Sequence, residues 1–141
     1  MNSFFFYRDH LNSDMADKAL VFWTTPPNVF LVAASSSTDK ALGCISYREI
    51  AADTVEMHRL SVDSKARGLG VGWRLVKALL NTAQEKGYEK LYLETSSAQI
   101  PAIRLYDSLD FMTREDKKFG MFLYDALSGL HIVAYTYKLN K

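Results

Sequence analysis

The sequence predicts an α+β fold with a βαβ unit at its centre and antiparallel hairpins at both ends. Two strand-like runs, Asn28 to Ala34 and Ala41 to Ile50, flank a polar turn and predict the first hairpin. A strand over Val55 to Val62 is followed by a glycine-rich turn, a helix and a second strand at Leu91 to Glu94. Because the gap between these two strands suits a βαβ crossover, we expect them to be parallel.

The central helix is predicted over Trp73 to Lys86, with Gly87 ending it as a C′ residue. Small and apolar residues recur along it at helical spacing and predict a buried face. They are Gly72, Leu75, Val76, Leu79, Leu80 and Ala83. The charged and amide side chains fall on the other face, so the helix is expected to lie against the sheet.

Two further helices and a second hairpin complete the expected fold. The first helix runs from Ser13 to Trp23 and stops before Pro26-Pro27. The other runs from about Ala98 to Leu109, preceded by capping hydroxyl residues. The closing strands are expected at Phe119 to Tyr124 and His131 to Leu139.

Bulk composition indicates one domain over residues 1–141. Lysine and arginine number 17 against 16 acidic residues, so nothing marks a dedicated nucleic-acid binder. No stretch approaches the roughly 20 apolar residues of a membrane span. The apolar run from Phe4 to Tyr7 is too short for a signal peptide. The single cysteine, Cys44, excludes an internal disulfide and is expected to be a buried thiol.

The glycine-rich turn between the central strand and helix is the strongest functional signal. Backbone N–H groups in such a turn and the helix N-terminus both favour bound oxyanions. A P-loop is excluded, because Gly72 is followed by Trp73 and Arg74 instead of Lys and Ser or Thr. Glu94 lies at a distance that suits a ribose contact in a dinucleotide-binding fold. The antiparallel hairpins nevertheless argue against such a fold.

The pattern Arg67-x-x-Gly70-x-Gly72, after the strand end Leu60-Ser61-Val62, resembles the acetyl-CoA signature of the GCN5-related N-acetyltransferases. The stretch from Leu105 to Phe111 resembles that family's closing motif, L-Y-x-x-x-G-F, with Asp110 in place of its glycine. Other segments resemble the camello-like, or N-acetyltransferase 8, subgroup. They are Asp14 to Asp17, Phe30 to Ala33, Gly43-Cys44, Leu93 to Ser97 and Tyr135 to Leu139.

This resemblance implies a mostly antiparallel mixed sheet of about six to seven strands, whose central parallel strands splay around acetyl-CoA. Backbone groups of Leu60, Ser61 and Val62 would hold the pantetheine arm. The pyrophosphate would be held by Arg67, Gly68, Leu69, Gly70, Val71 and Gly72, helped by Trp73. Gly72 would also pack the helix start closely against the sheet. Ser97 would touch the pantetheine or cap the next helix. No metal is expected.

The implied chemistry is direct attack of a neutral amine on the thioester. Tyr106 matches the family tyrosine that protonates the departing thiolate, the alternative being a tyrosine packed in the core. The base would be Glu56, His58 or a chain of water molecules, unless both side chains are simply solvated or hydrogen-bonded. Strand alternation places Glu56, His58, Leu60 and Val62 on one face.

The predicted function is therefore acetyl-CoA-dependent N-acetylation of a primary amine, with a non-catalytic acyl-CoA-binding or sensory domain as the alternative. The acceptor would be a small amine, an amino acid or cysteine conjugate, or a protein lysine. Several cations would form either a basic rim for an acidic acceptor or a solvated face. They are Arg104, Arg114, Lys117 and Lys118. We expect a soluble, cytoplasmic chain, or one associated with the endoplasmic reticulum membrane if it is a shortened camello-like protein. Edge strands leave a homodimer open.

Overall fold

A computed structural model describes residues 4–8, 25–109, 112–121 and 126–139. The helices α1 (Val71–Glu85) and α2 (Ile100–Asp107) accompany seven β-strands in this part of the chain, and residues 126–128 are also helical. The strands are β1 (Phe4–Arg8), β2 (Val29–Ser35), β3 (Ala41–Ala51), β4 (Thr54–Val62), β5 (Lys90–Ser96), β6 (Met112–Lys117) and β7 (Ile132–Lys138). The helix predicted over Ser13 to Trp23 lies outside the described residues.

The seven strands form one mixed sheet in the order β1-β2-β3-β4-β5-β7-β6. Among the described strands, β4 and β5 form the parallel pair, and the remaining neighbours are antiparallel. The helix α1 connects β4 to β5, which confirms the predicted βαβ unit at the centre of the sheet. The fold class and the first hairpin, β2 with β3, are likewise confirmed.

The C-terminal hairpin differs from the prediction. Its first strand is β6, whereas Phe119 to Met121 lie outside any strand and residues 122–125 are not among those described. The strand β6 is a sheet edge whose residues are mostly charged and exposed. Its side chains therefore lack the apolar alternation by which a strand is recognised. The opposite edge strand, β1, was also not predicted.

The helix α1 buries the face that its sequence predicts. Val71, together with Leu75, Val76, Leu79, Leu80 and Ala83, is buried in the core. Gly87 has a positive φ of 89° and follows the last helical turn, and the N–H of Tyr88 donates to the carbonyl of Ala83 at 3.1 Å. This is the C-terminal arrangement predicted for Gly87, and it directs the chain into β5.

Gly43 and Gly72 lie where α1 contacts the sheet, and they differ in how much space is available for an added Cβ atom. A Cβ on Gly43 would lie 2.6 Å from the carbonyl oxygen of Ser61 and 3.1 Å from Leu75 Cδ1. A Cβ on Gly72 would lie 3.5 Å from Leu105 Cδ2 and 3.6 Å from Val62 Cγ2, which is ordinary contact. Close packing therefore requires glycine at position 43, and the packing role expected for Gly72 was wrong.

We predict that Gly43→Ala destabilises the fold and that Gly72→Ala does not. The first methyl group collides with the backbone at the end of β4, which costs about 1–3 kcal/mol as an overpacked site. The second fits and removes a residue of low helix propensity. Urea unfolding of both variants beside the wild type measures the difference. An equal loss of stability in the two variants would contradict this packing.

Candidate active site

The centre of the sheet opens into a gap between its two parallel strands. The strands β4 and β5 pair at three positions, Thr54, Val55 and Glu56 with Lys90, Leu91 and Tyr92. Beyond these positions β4 stays with β3, and β5 stays with β7. This confirms the predicted splay. The facing backbone edges of β4 and β5 are therefore left without a strand partner along the gap.

A β-bulge in β4 accompanies the divergence. Cys44 lies opposite Ser61 and Ser46 lies opposite His58, so one residue of β3 faces two of β4. Arg59, one of these two, has a φ of 57°, in the left-handed region. The Cys44 thiol donates to the Arg59 carbonyl at 3.4 Å, and burial raises the pKa of this thiol. The Ser46 hydroxyl donates to the His58 carbonyl at 3.0 Å.

The bulge changes which face of the sheet each β4 side chain occupies. Directly opposed residues in a strand pair point to the same face. Glu56 pairs with Arg48 and His58 with Ser46, whereas Val62 pairs with Gly43, which contacts α1. The expectation that Glu56 and His58 share a face with Leu60 and Val62 was therefore wrong. Glu56 and His58 lie on the face opposite α1, and Leu60 and Val62 pack against the core on the α1 side.

The glycine-rich turn lies at the end of β4, at the start of α1. Gly68 and Gly70 have φ values of 80° and 78°, so the turn uses conformations that favour glycine. Gly70 precedes α1 and provides no side-chain cap, and the first helical turn holds no acidic residue. Within the described part of the chain, the N–H groups of Val71, Gly72 and Trp73 have no hydrogen-bond acceptor. Such a helix start favours a bound anion.

Exposed side chains surround this turn. Arg67 is exposed, Leu69 is 49% exposed and Trp73 is 47% exposed. The ammonium group of Lys77 lies 5.4 Å from the centre of the Trp73 ring. Two cations and two apolar side chains thus border the free N–H groups, as a ligand with both phosphate and apolar parts requires.

Tyr106 lies in α2, on the same side of the sheet as α1. Its side chain is 4% exposed, and its ring meets the Tyr135 ring edge-on at 5.2 Å. Burial raises the pKa of the Tyr106 phenol, and the neighbouring Tyr135 adds to this increase. The hydroxyl group therefore stays protonated at neutral pH and is available as a proton donor. Its neighbour Leu105 approaches Gly72, which places α2 beside the end of β4.

The two candidate bases are in contact with each other. His58 Nε2 contacts Glu56 Oε1, and the Arg48 guanidinium approaches that same oxygen at 3.1 Å. Glu56 and His58 are separate candidates in the sequence, and no sequence signal identifies Arg48 as their partner. Only the pairing of β3 with β4 brings this arginine to them. The Glu56 carboxylate, with a 17% exposed side chain, is therefore held by two partners on the face opposite Tyr106.

Across the gap, β5 contributes a second polar group to this face. Tyr92, the parallel neighbour of Glu56, donates its hydroxyl to Glu94 Oε1 at 2.5 Å. Lys117 of β6 donates to the same hydroxyl at 3.3 Å. In the sequence, Glu94 suggested a ribose contact of a dinucleotide-binding fold, and the sheet observed here does not have that fold. The signal for its present position is its alternation with Tyr92 along β5.

Ser97 does not cap α2. The helix begins at Ile100, and Gln99 occupies the cap position. Ser97 instead pairs with His131: its N–H donates to the His131 carbonyl at 2.8 Å, and its hydroxyl accepts from the His131 N–H at 2.9 Å. The capping alternative was therefore wrong, whereas the pantetheine contact stays a prediction.

The basic rim is not formed as a continuous surface. Arg114 lies between Asp107 and Asp116, and Lys117 points to the opposite face of β6, toward Tyr92. Arg104 and Lys118 are exposed. Asp110, which departs from the closing motif, lies outside the described residues.

In the described part of the chain, no group of three or more metal-ligating side chains comes together. None of its helices combines the length and the apolar character needed to cross a bilayer.

Comparison with known proteins agrees with the fold and the turn. The model of the acetyltransferase (GNAT) family matches residues 2–111. The chain belongs to this family. Human N-acetyltransferase 8B is 31% identical over 137 residues, covering 92% of this chain and 57% of that protein. Rat N-acetylaspartate synthetase is 34% identical over 102 residues, covering 72% of this chain and 33% of that protein.

The chain thus spans about half, or less, of the length of these curated relatives. The match to N-acetyltransferase 8B confirms the predicted resemblance to the camello-like subgroup. A GNAT acetyltransferase from Elizabethkingia anophelis, solved with acetyl-CoA bound, has the same fold at a TM-score of 0.72 and 18% identity. That alignment covers 96% of this chain and 97% of the other.

We predict that burial of Tyr106 makes the GNAT domain lose stability in alkaline solution. The folded-state pKa of its phenol is raised above the unfolded value of about 10. Its contribution to stability is therefore complete below that pH and is lost as pH rises further, by about 1.4 kcal/mol per pH unit. Urea unfolding at increasing pH should show a shallower loss in Tyr106→Phe.

The control is Tyr137→Phe, which removes a hydroxyl from a half-buried side chain of β7, two residues beyond Tyr135. Identical pH slopes for Tyr106→Phe and the wild type would contradict the burial of this phenol.

Proposed function

We propose that this chain is an acetyl-CoA-dependent N-acetyltransferase that moves the acetyl group to a primary amine by direct attack on the thioester. The carrying observation is the gap between β4 and β5. At one end of the gap lies the glycine-rich turn, whose free N–H groups favour an anion. The protonated Tyr106 lies on one face of the sheet, and the Glu56 carboxylate, in contact with its two partners, lies on the other. Family membership supports the proposal. We further propose that residues 1–141 act as one acetyltransferase domain.

Acetyl-CoA would bind as a substrate along the open edge of β4. The pantetheine arm contains two amide groups, and the backbone of Leu60, Ser61 and Val62 offers amide partners that β5 does not use. The pyrophosphate would lie against the turn from Arg67 to Trp73, where the N–H groups of Val71, Gly72 and Trp73 are free. A role for Ser97 at the pantetheine follows from its place after β5. The residues present therefore fit this substrate.

The chemical step requires one proton to leave the amine and another to reach sulfur. The amine nitrogen forms a bond to the carbonyl carbon while the carbon–sulfur bond breaks. Backbone N–H groups at the end of β4 would stabilise charge on the carbonyl oxygen. Tyr106 would donate its proton to the leaving thiolate. Because the sheet separates the two faces, this donor stays apart from the group that receives the amine proton.

We propose Glu56, assisted by His58, as that receiving group. Both side chains contact each other on the face opposite Tyr106, and Glu56 is the less exposed of the two. The Arg48 guanidinium holds the carboxylate in place by direct contact. A water molecule between Glu56 and the amine would complete the route.

The acceptor is proposed to be a small molecule that carries a carboxylate beside its amine, such as an amino acid or a cysteine conjugate. The name of one relative, N-acetylaspartate synthetase, indicates an amino-acid product for that protein. On the acceptor face of this chain, Glu56 and Glu94 could attract an ammonium group. Lys117, which donates to the neutral Tyr92 hydroxyl, could attract the carboxylate. Protein lysine is the alternative that an acceptor screen would separate.

Location and assembly remain proposals. We propose a cytoplasmic location, with association with the endoplasmic reticulum membrane as the alternative that the subgroup resemblance supports. The charged edge strand β6 disfavours pairing between two copies at that edge, so a homodimer would need another surface.

Turnover tests the proposal most simply. Release of the CoA thiol is measured with a panel of amines, amino acids and lysine peptides. Tyr106→Phe should lower kcat about a hundredfold and leave KM for acetyl-CoA unchanged, because the hydroxyl acts only in the chemical step. Glu56→Gln should also lower kcat. Tyr137→Phe serves as the control. Acetyl-CoA binding without turnover with any acceptor would instead favour the non-catalytic domain.

A further inference from the structure

One chain of polar contacts holds the helix α2 at both of its ends. We call it the α2 clamp. Its members are Ser97, His131, Asp116, Arg114, Asp107 and Tyr135. They come from the turn before α2, from its last residue, from β6, from β7 and from the residue before β7, so no short sequence motif contains them. The residue between the clamped ends that faces the core is Tyr106.

At the C-terminal end of α2, both carboxylate oxygens of Asp107 are in use. The Tyr135 hydroxyl donates to Oδ1 at 2.8 Å, and the Arg114 guanidinium donates to Oδ2 at 3.0 Å. Accepting from two directions fixes the rotamer of Asp107 and thereby the rotation of the last helical turn. Tyr106 is the preceding residue, so the same contacts fix its direction.

Arg114 also contacts Asp116, which in turn contacts His131, the residue before β7. Its guanidinium donates to Asp116 through two nitrogens, at 2.9 and 3.3 Å. The His131 ring contacts Asp116 Oδ2 at 3.0 Å. Pairing with Arg114 lowers the pKa of Asp116 and raises that of Arg114, so both stay charged at neutral pH. Both partners of this forked pair belong to β6, and the Asp116–His131 contact connects β6 to the residue before β7.

At the N-terminal end of α2, His131 contacts the turn that precedes the helix. Its backbone exchanges two hydrogen bonds with Ser97, in the turn that leads into the helix. The beginning and the end of α2 are therefore tied to the same histidine through separate paths. A helix of eight residues is marginal without such support, since its own hydrogen bonds are few.

The exposure of its charged side chains indicates that the α2 clamp positions α2 more than it stabilises the fold. The side chains of Arg114, Asp107 and Asp116 are 38%, 44% and 45% exposed. Ion pairs at such exposure contribute little to folding. Tyr135, in contrast, is 1% exposed, and its ring lies against that of Tyr106. The clamp thus connects a weakly stabilising surface network to the buried phenol at the centre of the proposed chemistry.

We infer that Tyr135 and Asp107, held by Arg114, are positioning residues that aim the Tyr106 hydroxyl at the leaving sulfur. The inference rests on the proposed function, because it gives the clamp a task in the acetyl transfer. Tyr135 sets the ring contact, Asp107 holds the Tyr135 hydroxyl, and Arg114 holds Asp107. None of the three touches the substrate in this account.

The test is a double-mutant cycle in the turnover assay. Tyr135→Phe keeps the buried ring and removes the hydroxyl that reaches Asp107. It should lower kcat about tenfold and leave KM for acetyl-CoA unchanged. In a Tyr106→Phe background the same change should cause no further loss, because there is no hydroxyl left to aim. Arg114→Gln, an exposed change, should lower kcat about threefold with an unchanged melting temperature.

Tyr137→Phe, two residues further along β7, is the matched control and should leave kcat unchanged. Asp107→Asn should retain more activity than Asp107→Ala, because the amide oxygen still accepts from Tyr135. Losses that multiply in the Tyr106→Phe background, or a Tyr135→Phe variant equal to the control, would overturn the clamp alone. A wild-type chain without turnover would overturn the proposed function and the clamp with it.

Discussion

The interruption of the β4–β5 ladder is the constraint on which the rest of the molecule depends. Two neighbouring parallel strands ordinarily pair along their length, since unpaired backbone groups are costly away from water. Here the pairing stops after Glu56 and Tyr92, and the bulge at Arg59 lies just beyond this point. The open edges require either water or a ligand with amide groups of its own. The proposed binding site is therefore a property of the sheet's backbone.

The same interruption divides the chemistry between the two faces. Both helices, the glycine-rich turn and Tyr106 lie on one side, with the proposed cofactor contacts. Glu56 and His58 lie on the other, with the polar group of Tyr92 and Lys117. An acetyl group in the gap would be reached by the amine from one face and by the proton donor from the other. This separation would let the proposed base and the proposed acid act in one site without neutralising each other.

Local patterns predicted the parts of the fold that depend on neighbouring residues. The βαβ unit, the buried face of α1 and the glycine-rich turn all follow from periodicity and from residue types that favour special backbone conformations. The bulge could not be predicted, because one extra residue in β4 reverses the side-chain faces without changing composition. The strand β6 was missed because an edge strand tolerates charge.

Contacts between distant segments account for the rest of what the sequence left out. Arg48 meets Glu56 only through the register of β3 and β4. The α2 clamp joins residues from Ser97 to Tyr135 that share no motif. Ser97 illustrates the difference well, since a serine before a helix predicts a cap, whereas its hydroxyl turns to the His131 N–H instead. Side chains of this kind acquire their roles only when the sheet is assembled.

Calorimetric binding of acetyl-CoA tests the central claim that the splayed strands and the glycine-rich turn form a CoA site. We would compare the wild type with Gly70→Trp and with Gly87→Trp. Both glycines have positive φ and open space around them, at opposite ends of α1, so backbone strain is matched. The account predicts micromolar binding by the wild type and by Gly87→Trp, lost in Gly70→Trp. A folded wild type that does not bind acetyl-CoA would contradict it.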